Sequence, residues 1–495
     1  MWSCVLMLSA AAALGSSAMV EPPRGAVPQI NGAPREARSF DSNAQNFDPF
    51  LADLEERTFR FFWETANPNN GLIPDRYPTS SVASIAAVGF GLTGYPIGVE
   101  RGYITRAQAR QRVLITLRFL AHAPNQHGFF YHFLDMKTGA RAHGSEVSTM
   151  DTSLLLAGVL FCQSYFDRQH PQEIEIRKLA DEIYRRVDWT WAQPRPPAIV
   201  LAWTPEAGFS SLDWIGYNEA MLVYLLALGS PTHPISATAW TLWTSTYNGH
   251  WGTLYDQTYL SFAPLFGHQY THVWVDLRGI RDGYMRERGL DYFENSRRAT
   301  YAQRRYAIAN PQRRQAYGKN VWGMSASDGP GSASAPSLGK TTLFLNYAAR
   351  GVGVDGIVDD GTIAPTAAIS SLPFAPEIVL PAALEMYQRF GASIYSAYGF
   401  RDAFNPSFPA STQRLRGAKD AGWVDPDYLA IDQGPILAMI ENYRSQLIWR
   451  VMRCDPHLRQ GLERAGFSGG WLESQRPSHS AGLPCLCASR VYCSP

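Results

Sequence analysis

An all-α fold of two concentric helix layers, an α/α toroid, is what this 495-residue chain predicts. Three observations carry that expectation. Segments such as "DTSLLLAGVLFC", "NEAMLVYLLALG" and "QGPILAMIENYRSQLIW" are apolar nearly all round, which a helix tolerates only when neighbours cover both faces. One-sided segments alternate with them and suit an outer layer. The stretches between are long, rich in Gly, Pro and aromatic residues, and hold few of the β-branched runs that a doubly wound α/β fold requires.

Residues 1–20, "MWSCVLMLSAAAALGSSAMV", have an apolar core of about a dozen residues followed by small ones, the length of a signal-peptide core and too short to span a bilayer. They predict export, periplasmic or secreted. Residues 21–46 are Pro-, Gly- and polar-rich without periodicity, a flexible lead-in to a helical domain over 47–467. Within it, "TRAQARQRVLITLRFLAHAP" places Thr105 as a cap before Val113, Leu114, Leu117 and Leu120 at helical spacing. "EIEIRKLADEIYRRVDW" repeats the pattern with Ile176, Leu179, Ile183 and Val187. A short piece, "THVWVDL", has the alternation of a small β-hairpin. The stretch 468–495 lacks periodicity and is expected to be a disordered tail.

Composition narrows the function. With 44 Lys and Arg against 43 Asp and Glu, the net charge of +1 offers no basic field for a phosphate backbone, so nucleic acid is excluded as a partner. No segment reaches the length of a membrane span. The cysteines at 485, 487 and 493 do not have zinc spacing, and neither metal nor cofactor is expected. A monomer is expected. The 14 Trp, 24 Tyr and 24 Phe, many beside Gly, Asn, Asp and His, fit sugar stacking as well as a large core.

In a toroid, carboxylates at inner-helix ends face the central cavity. Asp151 and Asp432 directly precede apolar helices and read equally as N-caps. Glu146 lies in a loop and is open between ligand contact and loop hydrogen bonding. Glu219 heads the most apolar helix, where a partly dry site pushes a carboxyl towards a raised pKa, as a general acid needs. Four loops add convergent groups. "LFGHQYTHVWVDLRGIRD" carries His268, Gln269, Tyr270, His272, Trp274, Asp276 and Arg278; a metal reading of His268, His272 and Asp276 is set aside because the residues between them favour an extended or irregular loop. "NVWGMSASDGPG" carries Trp322 and Asp328, and "YGFRDAFN" carries Tyr398, Phe400, Arg401 and Asp402, where Asp402 reads as a site residue or as an ion-pair partner. Asp75 and Arg76 precede a small-residue helix.

Nine blocks in order, among them "EVSTMDTSLLLAG", "NEAMLVYLLALGSPTHP", "PLFGHQYTHVWVDLRGIRD", "WGMSASDGP", "YGFRDAF" and "IDQGPILAMIENYRS", resemble the bacterial glucoamylase-like glycoside hydrolase family. That family contains endo-β-1,2-glucanases and the C-terminal domain of cyclic β-1,2-glucan synthases. The resemblance implies an (α/α)6 barrel that cleaves β-1,2-glucan by inversion without a metal. It also implies Glu219 as general acid, Asp402 as the acidic residue acting as base and Glu146 as a further carboxylate of the cleft. On that reading Tyr270, Trp274 and Trp322 stack on glucose, and Asp151, Gln269, Arg278 and Asp328 bind hydroxyls, with His268, Tyr398 and Phe400 beside them. Exo-acting disaccharide release, transglycosylation and non-catalytic glucan binding are the alternatives; retention of every candidate carboxylate weighs against a pure binder.

Overall fold

The computed structural model describes residues 47–337, 340–409 and 420–474. The lead-in and leader therefore lie outside the described residues, as does everything after 474. Helices dominate, and strands are two to five residues long, paired mostly in twos.

The two kinds of helix separate as their sequences require. Ile85–Glu100 and Thr149–Tyr165 are buried over almost their whole length, with Ser84 and Ser148 as side-chain caps. Met221–Gly229, Tyr270–Trp274, Pro365–Ile369 and Ala430–Arg444 are covered in the same way. Arg106–His122 starts with a reciprocal capping box between Thr105 and Gln108 and buries only one stripe. Asp48–Thr65, Pro171–Arg185, Tyr292–Ala309 and Pro376–Ile394 are likewise one-sided. Among the covered helices, 85–100 packs on 149–165, which packs on 221–229, and 430–444 touches 85–100, 270–274 and 365–369.

Two of these helices meet through glycine. A Cβ on Gly89 would lie 2.3 Å from the Leu154 carbonyl oxygen, and one on Gly158 would lie 2.2 Å from the Gly89 carbonyl oxygen. Backbone therefore touches backbone where the 85–100 and 149–165 helices cross. Where the C-terminal ends of the 85–100 and 430–444 helices meet the 48–65 helix, Glu441 and Glu55, both buried, share Arg101, whose Nε is 2.6 Å from Glu441 and 3.5 Å from Glu55. Burial first, then the neighbouring Glu441, pushes the Glu55 carboxyl up to about 8.

Two expectations change. "THVWVDL" is not a hairpin: Leu265–His268 is a 3-10 turn running into the Tyr270–Trp274 helix, because Tyr270, Val273 and Trp274 all find apolar neighbours at helical spacing. The packed chain also continues past Phe467. Ser468 pairs with Arg281, Gly470–Ser474 is helical, and the Trp471 indole donates to the Asp276 carbonyl at 2.8 Å. The rest of the expected tail lies outside the described residues. No helix among the described residues is long and apolar enough to cross a membrane.

Candidate active site

Glu219 occupies the turn before the Met221–Gly229 helix. Asn218 Oδ1 accepts from the Ala220 amide at 2.9 Å, and the Glu219 carbonyl accepts from the Leu222 amide at 3.3 Å. The side chain is half-buried, and its buried Oε2 has no hydrogen-bond partner. Desolvation, helped by the nearby Asp151, raises the carboxyl to about 7.

Asp151 sits in the first turn of the 149–165 helix, where Ser148 Oγ donates to its Oδ2 at 2.5 Å. Asp151 is not the cap; Ser148 is. His132 links it to Glu146: Nδ1 is 2.9 Å from Glu146 Oε1 and Nε2 is 3.5 Å from Asp151 Oδ1. Burial works against a charged imidazole, yet Asp151 and Glu146 together raise His132 to about 9. Burial likewise opposes a charged Glu146, but the hydrogen bond and charge of His132 hold it below the ordinary carboxyl range.

On the other wall, Asp402 is 1 % exposed. Its Oδ2 accepts from the Asp328 amide at 2.7 Å, which leaves Oδ1 without a partner. Asp425 Oδ2 and Asp432 Oδ2 are also buried and unpartnered. Burial and mutual repulsion raise Asp402 well above its ordinary value, Asp425 to about 9 and Asp432 to about 7. Arg76 is the cation at the edge, 2.7 Å from Asp328 and 4.0 Å from Asp427. Burial, and after it the charge of Asp432 with smaller effects from Glu219 and Asp151, holds the Tyr270 phenol well above its ordinary range.

One oxygen each of Asp328, Asp402 and Asp425 lies within 4.8 Å of the others, spacing that would suit a cation. Two of these carboxylates already have protein partners: Arg76 pairs with Asp328 at 2.7 Å, and the Asp328 amide donates to Asp402 Oδ2.

Several predicted residues have other tasks. His268 is fully buried, with Nδ1 3.1 Å from the Tyr217 hydroxyl and Nε2 3.1 Å from the Phe262 carbonyl, and desolvation drives its pKa down to about 3. Gln269 donates to Ala367 and Ser371, both at 2.8 Å. Trp274 is a core residue whose indole donates to Thr93 at 3.0 Å; Trp322 and Phe400 are buried in the second core cluster. Arg278 is paired with Asp276 at 2.7 Å and lies over Trp449. His268, Gln269, Trp274, Trp322 and Phe400 are all buried, most of them because the apolar loop that carries them packs inward as helix, whereas Arg278, beyond that helix, stays part-exposed. Tyr398 is largely buried and donates to Glu64 at 3.1 Å. The sequence does not single out Asp425 and Asp427 in "WVDPDY" or His132 in "FFYHF", all of which the fold brings to this cluster together with Asp432, Asp75 and Arg76. Of these His132 alone has a local signal, as a histidine flanked by aromatics in "GFFYHFLDMKTGAR", another of the nine blocks that resemble the family.

The Glycoamylase family model matches residues 211–456. An endo-β-1,2-glucanase from Chitinophaga pinensis, solved with sophorotriose and glucose, is 30% identical and superposes with a TM-score of 0.75 over 87% of this chain and 100% of its own. The chain belongs to the glucoamylase-like glycoside hydrolase family. A second relative of this hydrolase, an exo β-1,2-glucooligosaccharide sophorohydrolase from Parabacteroides distasonis, is 30% identical over 452 residues, 84% of this chain. The chain spans 58% of that relative's length. The structure of a β-1,2-glucanase from the same species is 29% identical, with a TM-score of 0.75 over 86% of this chain and 60% of its own.

Proposed function

We propose that this hydrolase cleaves β-1,2-linked glucan internally and with inversion, in the cavity of a closed (α/α)6 barrel. Glu219 is the proton donor, and the observation that carries the reading is its buried Oε2. That oxygen has no protein partner, and the carboxyl is held at about 7, so it retains a proton near neutrality and has nowhere in the protein to deliver it. The glycosidic oxygen receives it as the bond to the leaving sugar breaks.

Inversion also needs a base on the opposite face of the ring, with carboxyls roughly 6.5–9.5 Å apart to leave room for water. Asp402 is that base. Its Oδ2 is committed to the Asp328 amide, so Oδ1 takes the proton from water, directly or through a sugar hydroxyl. Burial and the neighbouring Asp432 hold Asp402 well above the ordinary carboxyl range, so it works as base from the microstate in which the three buried aspartates carry a single negative charge on Asp402 while Asp425 and Asp432 hold the protons. Glu146 and Asp151, linked by His132, line the donor side of the cleft and bind sugar hydroxyls with Asp328.

The test is product analysis on linear and cyclic β-1,2-glucan, with the anomer followed by NMR. Mixed oligosaccharides from both substrates and an initial α-anomer are expected. A single disaccharide from linear glucan with cyclic glucan untouched would replace the endo reading by the exo one that the Parabacteroides relative illustrates. Near-normal turnover in folded Glu219→Gln or Asp402→Asn would sink the residue assignment.

A further inference from the structure

The register of one short strand pair sets a tyrosine opposite the aspartate that holds the proposed base. Ala326 pairs with Ala349 and Ser327 with Ala348 in antiparallel fashion. One step further along, Tyr347 stands across from Asp328, and residues directly opposed on antiparallel strands project to the same face with Cβ atoms about 5 Å apart. Asp328 donates its amide to Asp402 and receives Arg76 on its carboxylate, both at 2.7 Å. The Tyr347 side chain is half-buried against the main core, and its hydroxyl makes no hydrogen bond among the described residues. Asp432, Asp402, Asp75 and Asp328 all act on that hydroxyl, and together with burial they keep it protonated well above the ordinary phenol range. It is therefore a donor without an acceptor.

The turn that carries Tyr347 is fixed from beneath. Arg350 is 1 % exposed and grips Asp360 with Nε at 2.7 Å and Nη2 at 2.9 Å. Its Nη2 also donates to the carbonyls of Leu345 at 3.1 Å and Asn346 at 3.0 Å, and its Nη1 donates to the Ser327 carbonyl at 3.0 Å. One guanidinium thus ties the residues preceding Tyr347 to the residue preceding Asp328. The packing is close enough that a Cβ on Gly329 would lie 2.2 Å from both Arg350 Nη2 and the Leu345 carbonyl oxygen.

We infer that Tyr347 contacts the substrate, donating its phenolic hydrogen bond to a glucose hydroxyl beside Asp402, and that Arg350 is the positioning residue that holds it there. The inference rests on the glucan reading above and names a contact within that site. A hydroxyl presented by the tyrosine and faced by the unpartnered Asp402 Oδ1 orients the ring whose anomeric carbon water attacks.

The experiment uses the inactive Glu219→Gln enzyme and a β-1,2-linked gluco-oligosaccharide, with the dissociation constant read by calorimetry. Adding Tyr347→Phe is expected to weaken binding by about tenfold, the loss of one hydrogen bond, with Tm unchanged. Adding Arg350→Lys weakens binding to a similar degree although Arg350 never meets the sugar, and the pair of changes together weakens it no more than either alone, the signature of residues acting through one another. Binding by the Tyr347→Phe protein equal to that of its Glu219→Gln parent overturns the contact, and fully additive effects overturn the positioning role. If the wild-type enzyme cleaves β-1,2-glucan, either result removes this inference alone; if it neither cleaves nor binds it, the glucan reading falls and takes the contact with it.

Discussion

Glu219→Gln removes a titrating proton while keeping the side chain's shape, so it tests stability and catalysis at once. In an unfolded chain the carboxyl ionises near its ordinary 4.5; in the folded protein, burial and Asp151 move that to about 7. Between these values the folded state keeps a proton that the unfolded state has released, so stability falls as pH rises through the window and levels off above about 7. The displacement corresponds to roughly 3 kcal/mol at about 1.4 kcal/mol per pH unit. Glutamine escapes this cost. The variant is expected to match the wild type near pH 4.5 and to be more stable by up to roughly 3 kcal/mol at pH 8, while kcat drops about 10²- to 10⁴-fold. Thermal or urea denaturation of both proteins at the two pH values measures the gap. A gap that is the same at pH 4.5 and pH 8 would refute the claim that Glu219 is held protonated by its surroundings.

His132→Gln removes the cation that holds Glu146 low, so the acid limb of the kcat/KM profile should move to higher pH; an unmoved limb shows that Glu146 does not govern it. Arg101→Met strands the buried Glu441 and leaves Glu55 with Arg444 alone, which should cost about 3–5 kcal/mol in urea unfolding. Because that network lies at the ends of the helices remote from the cleft, kcat per folded molecule should be unchanged. Gly89→Ala drives a methyl into the Leu154 carbonyl and should destabilise by about 1–3 kcal/mol or more, read as a lower Tm and reduced folded yield.

The helix layers were legible because their signal is local. The apolarity of 149–165 and 221–229 and the one-sided pattern of 106–122 need no knowledge of what they touch. Glu219 was legible for the same reason, since a lone carboxyl at the head of an apolar run carries its own anomaly. The loops were not. Trp274 and Trp322 look like stacking platforms in sequence, but an aromatic beside Gly or Asp has no local mark that separates a cleft wall from a core, and both proved to be core. Asp425 escaped notice because its importance comes from Asp402 and Asp432, brought to it from elsewhere in the chain. Tyr347 depends on a strand register and a buried arginine, neither of which can be read from "LNYAAR".

The glycine crossing between the 85–100 and 149–165 helices bears on how such a scaffold can diversify. Where side chains separate two helices, exchanging one for another of different size shifts the helix axes and drags along whatever the helix ends carry. Here main chain abuts main chain, and no side chain is available to exchange. The spacing between the helix that starts after Ser84 and the one that starts after Ser148, and with it the placement of Asp151, is thereby locked against gradual drift. New specificity on this frame has to be written in the connections above it, such as the segment that runs from Asp328 to Arg350, while the frame itself is inherited whole.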